Sequence, residues 1–453
     1  MSRVAVIGSG PAGVYCAAAL LASEDMSVDV LDQLPSPFGL VRYGVAPDHP
    51  KIKSVSKALE QVLTDPRVRF IGNVRVGRDL TVDELHGYYD AVIFAVGSAG
   101  QGRRLHIPGE ELAGSASGVD FVRWYSGHPD ASSQGFQLSA KRVVVVGAGN
   151  VALDVVRVLS KRADELRLTD VPQGVLDEFG SSAVTDVHVL VRRGPAHTRF
   201  TTLELRELGE IAQADVRVDA RDVELDLPDE PARSVALRNV RVLHEWSQRT
   251  PQGRLRTIWF HFWRQPTMIV GSSAVAEVVT EHTRDRGDGH VVGTGETTRI
   301  RAEMVLSCIG YRGTPVPGVP FDEVDGIIPN VGGRVVDAGR VVPGQYVAGW
   351  IKRGPTGVIG TNKHDANETV AALLEDLAAG DSGAPSENDV VALLHGRGVQ
   401  VVTWRGWTRL QGAELRLGES LGRGTVKITD HAELLATAAG DPSKAASPPS
   451  AGS

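Results

Sequence analysis

The chain has 453 residues, with 48 lysine plus arginine, 55 aspartate plus glutamate and only two cysteines. At roughly 100–200 residues per domain this length predicts two to four domains, which need no disulfide framework. The net charge of −7 argues against a general binder of nucleic acid or anionic membranes. Two cysteines exclude an iron–sulfur cluster and a cysteine-ligated zinc site.

The two cysteines, Cys16 and Cys308, each lie in an apolar run and form no C-x-x-C motif. The sequence leaves a bridge between them open, but it favours buried, unreactive thiols. No apolar run reaches the ~18 residues of a membrane span. The letters GSGP interrupt the N-terminal apolar run, which does not fit a signal peptide, so we expect a cytoplasmic protein.

The first elements in chain order are a strand, a glycine turn, a helix and a second strand. Arg3–Gly8 is an apolar run that predicts a buried strand, and Ala12–Ala22 has helical composition. Val28–Leu31 predicts the next strand. The turn after the first strand reads GSGPAG, so this segment is a βαβ unit with a dinucleotide-binding turn.

The three glycines of that turn have different roles. Gly8 allows the tight turn, Gly10 lets the backbone approach a pyrophosphate, and Gly13 lets the helix pack closely on the strand. The N-terminus of the helix offers N–H groups to the phosphates. Asp32 ends the second strand, 24 residues after Gly8, where an acid accepts hydrogen bonds from ribose hydroxyls.

The same order of elements returns in the middle of the chain. Arg142–Val146 predicts a strand, the letters GAGNVA follow it, and a helix then leads to a strand at Val187–Val191. An insertion at about Ala163–Ala183 explains the long gap before that strand. Two other apolar stretches end in glycine, Ala91–Gly97 and Met304–Gly310, and we interpret them as strands after which the chain crosses between two domains.

The second turn differs from the first at two places. It has Gly147 and Gly149, but Ala152 takes the place of the third glycine and holds the helix slightly away from the sheet. Its second strand ends at Arg192 and Arg193, where an NAD site would carry an acid. Two guanidinium groups suit a 2′-phosphate, which predicts an NADP(H) site; the alternative is a solvated basic turn.

The last part of the chain has a different composition. From about Gly380 it is rich in Gly, Ser, Asp and Pro, and a strand-like pattern returns at Val399–Trp404 and Gly424–Ile428. The final letters AAGDPSKAASPPSAGS have the composition of a disordered segment.

Three longer motifs resemble one branch of the glutathione-reductase-like flavoproteins. They read PFGLVRYGVAPDHPK at 37–51, FTTLELREL at 200–208 and GWIKRGPTGVIGT at 349–361. From about Arg3 to Leu377 the chain is similar to the adrenodoxin-reductase-like ferredoxin–NADP reductases, most closely to their actinobacterial members. The resemblance implies FAD at the first turn and NADP(H) at the second.

The resemblance predicts an α/β fold with two Rossmann-like dinucleotide-binding domains, each with a parallel sheet. The FAD domain is discontinuous, at 1–102 and 313–380, around an inserted NADP domain at 103–312. A partly ordered C-terminal extension at 381–436 and a disordered tail at 437–453 complete the predicted division.

The resemblance also assigns site residues. The predicted FAD contacts are Gly8, Gly10, Ala12, Gly13, Asp32, Leu40, Val76, Trp350, Gly357, Val358 and Ile359. The predicted NADP(H) contacts are Arg103, Gly147, Gly149, Asn150, Val151, Ala152, Arg192, Arg193, Glu204 and Gly357. His49 and Glu207 match a pair near the flavin, with an accessory role in orientation or proton supply; the alternative is that His49 only caps a turn. No metal site is predicted.

The implied activity is that of an NADPH–ferredoxin oxidoreductase, an FAD-dependent ferredoxin–NADP(+) reductase. NADPH delivers a hydride to FAD, and single electrons then pass to a ferredoxin, for example one that supplies cytochromes P450. The expected partner is an acidic ferredoxin that docks near Arg238 and Arg241, with no nucleic acid or membrane partner. Both arginines belong to a basic stretch that also contains Arg233, Arg249, Arg254 and Arg256.

These residues fit other flavoprotein functions less well. A thioredoxin-reductase-like enzyme needs the missing C-x-x-C, and the small-subunit type of glutamate synthase carries an N-terminal cysteine-rich segment that we do not expect before Arg3. The quoted motifs argue against a flavin monooxygenase or amine oxidase. A flavin-binding redox sensor without turnover, or another NADPH-dependent flavin oxidoreductase, stays open.

Overall fold

The computed structural model describes residues 2–98, 100–131, 135–224, 234–287, 290–380 and 388–440. In chain order its strands, β1 to β19, are Ser2–Ile7, Met26–Asp32, Val68–Gly72, Ala91–Phe94, Gln101–Gly102, Ser115–Ser117, Arg142–Val146, Asp186–Val191, Ala214–Val218, Arg256–Phe262, Arg264–Val270, Glu277–Asp285, Val291–Arg301, Met304–Ser307, Tyr311–Arg312, Asn330–Val331, Arg334–Asp337, Arg340–Val347 and Val402–Thr403.

The helices, α1 to α17, are Pro11–Leu20, Leu40–Tyr43, Pro50–Lys53, Ser56–Leu63, Val82–Tyr88, Gly118–Tyr125, Asn150–Ser160, Ala163–Leu166, Gln173–Gly180, Thr202–Gly209, Ala220–Glu224, Val235–Ser247, Trp350–Arg353, Thr361–Ala379, Val390–Gly396, Trp404–Ser420 and His431–Ala439. A short 3-10 helix spans Pro195–His197. Among the described residues, no helix is long and apolar enough to cross a membrane.

The first sheet has the strand order β16-β17-β18-β4-β1-β2-β3-β19. Its inner strands, from β18 to β3, pair in parallel. Apolar side chains of α1, α4, α14 and α16 cover one face, and those of α5 and α15 pack on the other. Burial on both faces explains why these strands are continuous apolar runs in the sequence.

The second sheet has the order β6-β14-β7-β8-β10-β9, and every neighbouring pair is parallel. Helices α6, α7, α10 and α12 contribute to the core on one face. A separate antiparallel sheet, β11-β12-β13, packs apolar side chains on the other face. Both glycine turns lie at the carboxyl end of a central parallel strand, β1 or β7, which is where ligands bind in such sheets.

The chain crosses between the sheets twice, after β4 and after β14. The two crossings meet in a small antiparallel ladder of β5 and β15, in which Tyr311 faces Gly102. The prediction of two parallel-sheet domains, one discontinuous around the other, is confirmed; the exact domain boundaries stay a prediction. The predicted insertion at 163–183 contains α8 and α9, which pack on the core of the second sheet.

The structure of the C-terminal segment differs from the two strands that its sequence patterns predict. Within Val399–Trp404 only Val402 and Thr403 pair, because the Thr403 hydroxyl accepts a hydrogen bond from Gly406 N–H and starts α16. Gly424–Ile428 is not a strand, since Val426 N–H donates to the carbonyl of Glu414 and Ile428 N–H to its carboxylate. The first strand prediction was therefore wrong in extent, and the second was wrong.

The same segment packs against both sheets. Trp407 joins the core of the first sheet, with its ring 5.9 Å from that of Phe38. On the other side, Arg423 donates hydrogen bonds to the carbonyls of Arg167, Thr169 and Val171. Helix α17 includes 437–439, which the prediction placed in the tail, whereas 441–453 lie outside the described residues.

Candidate active site

The first glycine turn is as tight as its sequence predicts. Gly8 has a φ of +111°, and a Cβ built on it would lie 2.4 Å from the carbonyl oxygen of Ala95. A Cβ on Gly13 would lie 1.9 Å from the Gly8 carbonyl oxygen, so helix and strand touch through their backbones. A Cβ on Gly10 would meet no protein atom within 4 Å. This glycine therefore borders open space at the N-terminus of α1, where a pyrophosphate can approach.

Asp32 closes the turn from the end of β2. Its Oδ2 accepts hydrogen bonds from the backbone N–H of Ser9 at 2.8 Å and from the Ser9 hydroxyl at 2.5 Å. Its Oδ1 accepts one from Leu34 N–H at 2.9 Å. Burial raises the pKa of Asp32, and the hydrogen bonds from Ser9 and Leu34 oppose that rise. The carboxylate is thus held rigidly beside the turn, in the position expected for a ribose contact.

Two distant motifs reach this turn. Gly39 precedes Leu40 with a φ of +48°, and a Cβ on it would lie 3.1 Å from Gly10 Cα. Gly349 has a φ of +80°, and a Cβ there would lie 2.5 Å from the Ala12 side chain. The structure therefore brings the segments that carry Leu40 and Trp350 to the predicted FAD side of the molecule.

The Trp350 segment is held by its own loop. The Trp350 indole N–H donates to the carbonyl of Thr356 at 3.1 Å, and its ring lies 5.7 Å from that of Tyr311. Gly357, with a φ of +83°, follows, and the backbone N–H of Val358 donates to the Thr361 hydroxyl. Ile359 packs against the apolar core on one face of the first sheet, and Val76 is buried in the apolar core on the other face. FAD contacts by these residues stay predictions.

The second turn is more open than the first. Gly147 has a φ of +153°, and a Cβ on it would lie 2.3 Å from the Cys308 carbonyl oxygen. Gly149, like Gly10, borders open space. Ala152 is fully buried with a Cβ of its own. Asn150 begins α7, and its side-chain oxygen accepts a hydrogen bond from Thr201 N–H at 2.9 Å, which joins the turn to α10.

The basic residues predicted for NADP(H) lie at two places. Arg192, exposed, and Arg193, half-buried, directly follow β8. Exposed Arg103 lies at the crossing, where its guanidinium donates to the Tyr311 carbonyl at 3.4 Å. Val151 follows Asn150 in the first turn of α7. NADP(H) contacts by these residues stay predictions.

The pair of His49 and Glu207 is formed in the structure. His49 Nε2 lies 2.8 Å from Glu207 Oε2 and 3.8 Å from Glu204 Oε2. His49 comes from the loop before α3, and both glutamates come from α10. The interpretation of His49 as only a turn cap is wrong, since its side chain makes no capping bond at α3 and faces α10 instead.

A buried arginine connects this pair to its surroundings. Arg157, 2% exposed, lies 2.8 Å from Asp48, 2.7 Å from Asp154 and 2.9 Å from Glu204. Lys161 reaches Asp48 at 2.6 Å. We call the set His49, Glu207, Glu204, Asp154, Asp48, Arg157 and Lys161 the charge cluster. It joins the loop at 48–49 to α7 and α10, and hence the two sheets.

Within the charge cluster, the pKa of one carboxyl group is lowered and the pKa values of two others are raised. Burial alone would raise the pKa of Asp48, but hydrogen bonds and charge from Arg157 and Lys161 hold it well below its usual range. Burial raises the pKa of Asp154 and of Glu204, with the charge of Arg157 opposing the rise.

Atoms of His49, Asp154 and Glu204 lie within 4.8 Å of one another, a spacing that metal ligands can have. The Arg157 guanidinium already binds both carboxylates, so the negative charge that would attract a cation is compensated.

Neither cysteine is placed for redox chemistry. Cys16 and Cys308 are both free thiols. Burial strongly raises the pKa of Cys16, and burial together with Asp154 raises the pKa of Cys308 to about 12. The preference for free thiols over a bridge is confirmed, although Cys308 is half-buried and not buried as expected.

Sequence reasoning missed Arg157, Asp154 and Lys161. A signal was available: Asp154 and Arg157 are three residues apart in the otherwise apolar stretch NVALDVVRVLS of α7. Residues with this spacing share a helix face, and charged residues on a buried face are normally paired. The partner residue Asp48, on a distant loop, could not be inferred from the spacing.

Three comparisons with known proteins bear on this geometry. The model of the pyridine nucleotide-disulphide oxidoreductase family matches residues 2–194. The NADPH-ferredoxin reductase FprA of Mycobacterium leprae is 44% identical to this chain, over 96% of the chain and 97% of the relative. The mitochondrial NADPH:adrenodoxin oxidoreductase of Arabidopsis thaliana is 38% identical, over 96% and 95% of the two chains.

The fold is also similar to a solved structure. FprA of Mycobacterium tuberculosis in complex with NADPH superposes with a TM-score of 0.91 at 43% identity. The match covers 97% of this chain and 99% of the other. Similarity in sequence and in fold therefore extends over both sheets.

Proposed function

Because the chain belongs to the NADPH–ferredoxin reductases of the pyridine nucleotide-disulphide oxidoreductase family, we propose that it passes electrons from NADPH through FAD to a ferredoxin. The single observation that carries this function is the near-complete match to that family at 44% identity. The enzyme is an FAD-dependent oxidoreductase, and its nucleotide substrate is NADP(H).

The residues of the first turn fit FAD. Gly10 leaves open space at a helix N-terminus, and Asp32 is fixed beside it by Ser9 and Leu34. When bound, FAD accepts a hydride from NADPH and releases two electrons one at a time. The chain's own residues bind the dinucleotide, position the Trp350 segment and limit access of water.

A direct test is the reduction of cytochrome c with NADPH, with and without added ferredoxin. The proposal predicts a rate that rises with ferredoxin concentration and is much lower with NADH. No NADPH turnover with any acceptor would favour the redox-sensor alternative.

We assign an accessory role to His49 and Glu207, supported by their contact of 2.8 Å. The pair holds a proton at His49 Nε2 beside the cluster and orients the imidazole. We expect His49→Gln to slow NADPH-to-FAD hydride transfer at least about tenfold, less than the ~100-fold or more of a full general acid or base.

The matched control is His395→Gln, an exposed histidine on α15, which should keep the original rate. An unchanged hydride rate in His49→Gln, measured by anaerobic stopped flow, would contradict the role of the pair.

We place the ferredoxin docking surface on α12. Arg238 and Arg241 are both exposed and three residues apart on that helix, so they share a face. On its buried side, the Asn239 amide donates to the carbonyl of Phe200 at 2.9 Å, next to the start of α10. Helix α10, which carries Glu204 and Glu207 of the charge cluster, is thus the neighbour of the helix with the basic face.

Other arginines of the basic stretch do not fit a docking surface. Arg256 is 4% exposed and donates to the carbonyls of Val184, Ser160 and Lys161. Arg254 is half-buried and donates to the carbonyls of Ile211 and Ala214. Arg249 is exposed but follows α12, and Arg233 lies outside the described residues.

The docking surface is tested by the double variant Arg238→Glu and Arg241→Glu. For an acidic ferredoxin at low salt we expect the Michaelis constant to rise about tenfold, and the effect to shrink as salt screens the charges. Ferricyanide reduction should not change. The control reverses Arg405 and Arg416, an exposed pair on α16; equal responses of both double variants would contradict the assignment.

A further inference from the structure

The turn that carries Arg192 and Arg193 is held by residues from outside its own βαβ unit. The hydroxyl of Thr283, in β12, donates to the Arg192 carbonyl at 2.7 Å. The backbone N–H of Trp263 donates to the Arg193 carbonyl at 3.3 Å. Thr283 and Trp263 are themselves joined, because Thr283 N–H donates to the Trp263 carbonyl at 2.9 Å.

Two local irregularities of the backbone orient the Thr283 hydroxyl and the Trp263 N–H toward the turn. Trp263 is the single residue between β10 and β11, and its φ of +54° turns the chain out of the parallel sheet into the outer antiparallel one. The pairing of β12 with β13 shifts register between Glu281 and Thr283. A bulge of this kind redirects side chains, and here the redirected hydroxyl meets the Arg192 carbonyl.

The contacts are buried. Thr283 is 1% exposed and Trp263 is 6% exposed, so water does not compete freely for these hydrogen bonds. The Trp263 ring lies 6.2 Å from that of His197, and both rings line a small cavity together with Arg193, Asp285 and Val291. One side of the turn therefore packs against buried side chains, while the side chain of Arg192 is exposed to solvent.

We propose that Thr283 and Trp263 form a brace that positions Arg192 and Arg193 for the 2′-phosphate, so that the outer sheet β11-β12-β13 sets the preference for NADPH over NADH. This inference rests on the proposed NADP(H) function of the turn. The physical reason is preorganisation: a backbone that is already fixed loses less conformational entropy when its arginines bind the phosphate. NADH lacks the 2′-phosphate and does not use this gain.

Thr283 is a positioning residue, and its test is a comparison of Michaelis constants. Thr283→Val removes the hydroxyl and keeps the shape of the side chain. We expect it to raise the Michaelis constant for NADPH about fivefold, the effect of one hydrogen bond of ordinary strength, with ferricyanide as acceptor. The Michaelis constant for NADH and both turnover numbers should stay unchanged, and Thr283→Ser should restore the NADPH value.

The matched control is Thr280→Val. Thr280 is fully buried in the same strand, and its hydroxyl lies 2.8 Å from that of Thr298, away from the arginines. This variant should lower the melting temperature as Thr283→Val does, but it should not change the ratio of the two Michaelis constants.

Two results would overturn the brace. One is a Thr283→Val enzyme with an unchanged NADPH-to-NADH ratio while Arg192→Ala changes it. The other is a parallel rise of both Michaelis constants in Thr283→Val, which indicates general loosening. If Arg192→Ala also leaves the ratio unchanged, the 2′-phosphate assignment itself fails, and that failure is distinguishable from failure of the brace alone.

Discussion

The two glycine turns have the same spacing but differ in how closely the helix approaches the strand. At the first turn, a Cβ on Gly13 would lie 1.9 Å from the Gly8 carbonyl oxygen. At the second turn, the corresponding Ala152 carries a Cβ and is fully buried. The methyl group of Ala152 therefore keeps the helix farther from the strand at the second turn than at the first, although both turns have the same motif.

The turns also differ at the end of the following strand. Asp32 follows the first turn and accepts three hydrogen bonds from its neighbours, whereas Arg192 and Arg193 follow the second. The glycines fix the path of the backbone, and we expect the residues at the strand ends to determine which nucleotide fits. Substitutions at the turns and at the strand ends separate these two differences, from the largest expected effect to the smallest.

The largest effect is expected for Gly13→Ala. The added Cβ collides with backbone, which cannot move as a flexible side chain can, so α1 must shift from β1. We expect a loss of about 1–3 kcal/mol in the free energy of unfolding and a purified protein with little or no FAD. Flavin absorbance relative to protein and the melting temperature measure the two losses.

Gly10→Ala is the control for that change. A Cβ on Gly10 meets no protein atom, so the apoprotein should keep its stability while FAD binds less tightly. Full FAD content in Gly13→Ala would show that the first turn is not as closed as described.

The next effect is expected at the second strand end. If the proposed NADP(H) assignment holds, Arg192→Ala or Arg193→Ala removes charge-assisted hydrogen bonds to the 2′-phosphate, worth about 1.5–3 kcal/mol each. This corresponds to a rise of about 10–100-fold in the Michaelis constant for NADPH, with little change for NADH. Steady-state kinetics with ferricyanide measures both; an equal rise for both nucleotides would argue for damage to the turn instead of lost phosphate recognition.

A smaller effect is expected for Asp32→Asn. The amide nitrogen cannot accept a hydrogen bond, so one of the donors from Ser9 or Leu34 is left unpaired. We expect FAD to bind about tenfold more weakly, as one lost hydrogen bond to a charged acceptor predicts. Fluorescence titration of the apoprotein with FAD measures the change, and the NADPH preference should stay the same.

The smallest effect is expected for Ala152→Gly, the reverse of the first change. Glycine in the first turn of α7 lowers its stability by at most about 0.5–1 kcal/mol, the loss in a helix interior, and the turn keeps its open path. Nucleotide affinity should change less than about twofold. A large gain in affinity for NADH would mean that Ala152, and not the arginine pair, selects the nucleotide.

The sequence predicted what is local and periodic. Both βαβ units follow from apolar runs and glycine spacing, and the strands at 142–146 and 186–191 lie where those patterns indicate. It could not predict contacts between distant segments. Arg157 meets Asp48 across 109 residues, and Thr283 meets Arg192 across 91, with no spacing rule to connect them.

The C-terminal segment shows a different limit. Val426 and Ile428 alternate in a way typical of a strand, but Glu414 of α16 takes up their backbone hydrogen bonds. An alternating pattern indicates burial of one side, and a neighbouring strand is needed before it becomes a sheet. The pattern predicted the secondary structure incorrectly, and Lys427, which alternation would place on the exposed side, is only 3% exposed.

The most direct test of the division between an FAD turn and an NADP(H) turn is an anaerobic titration of the purified protein with NADPH and NADH. The account predicts a flavin absorption spectrum that NADPH bleaches at stoichiometric amounts, while NADH requires a large excess. A protein without bound flavin, or equal bleaching by the two nucleotides, would contradict it.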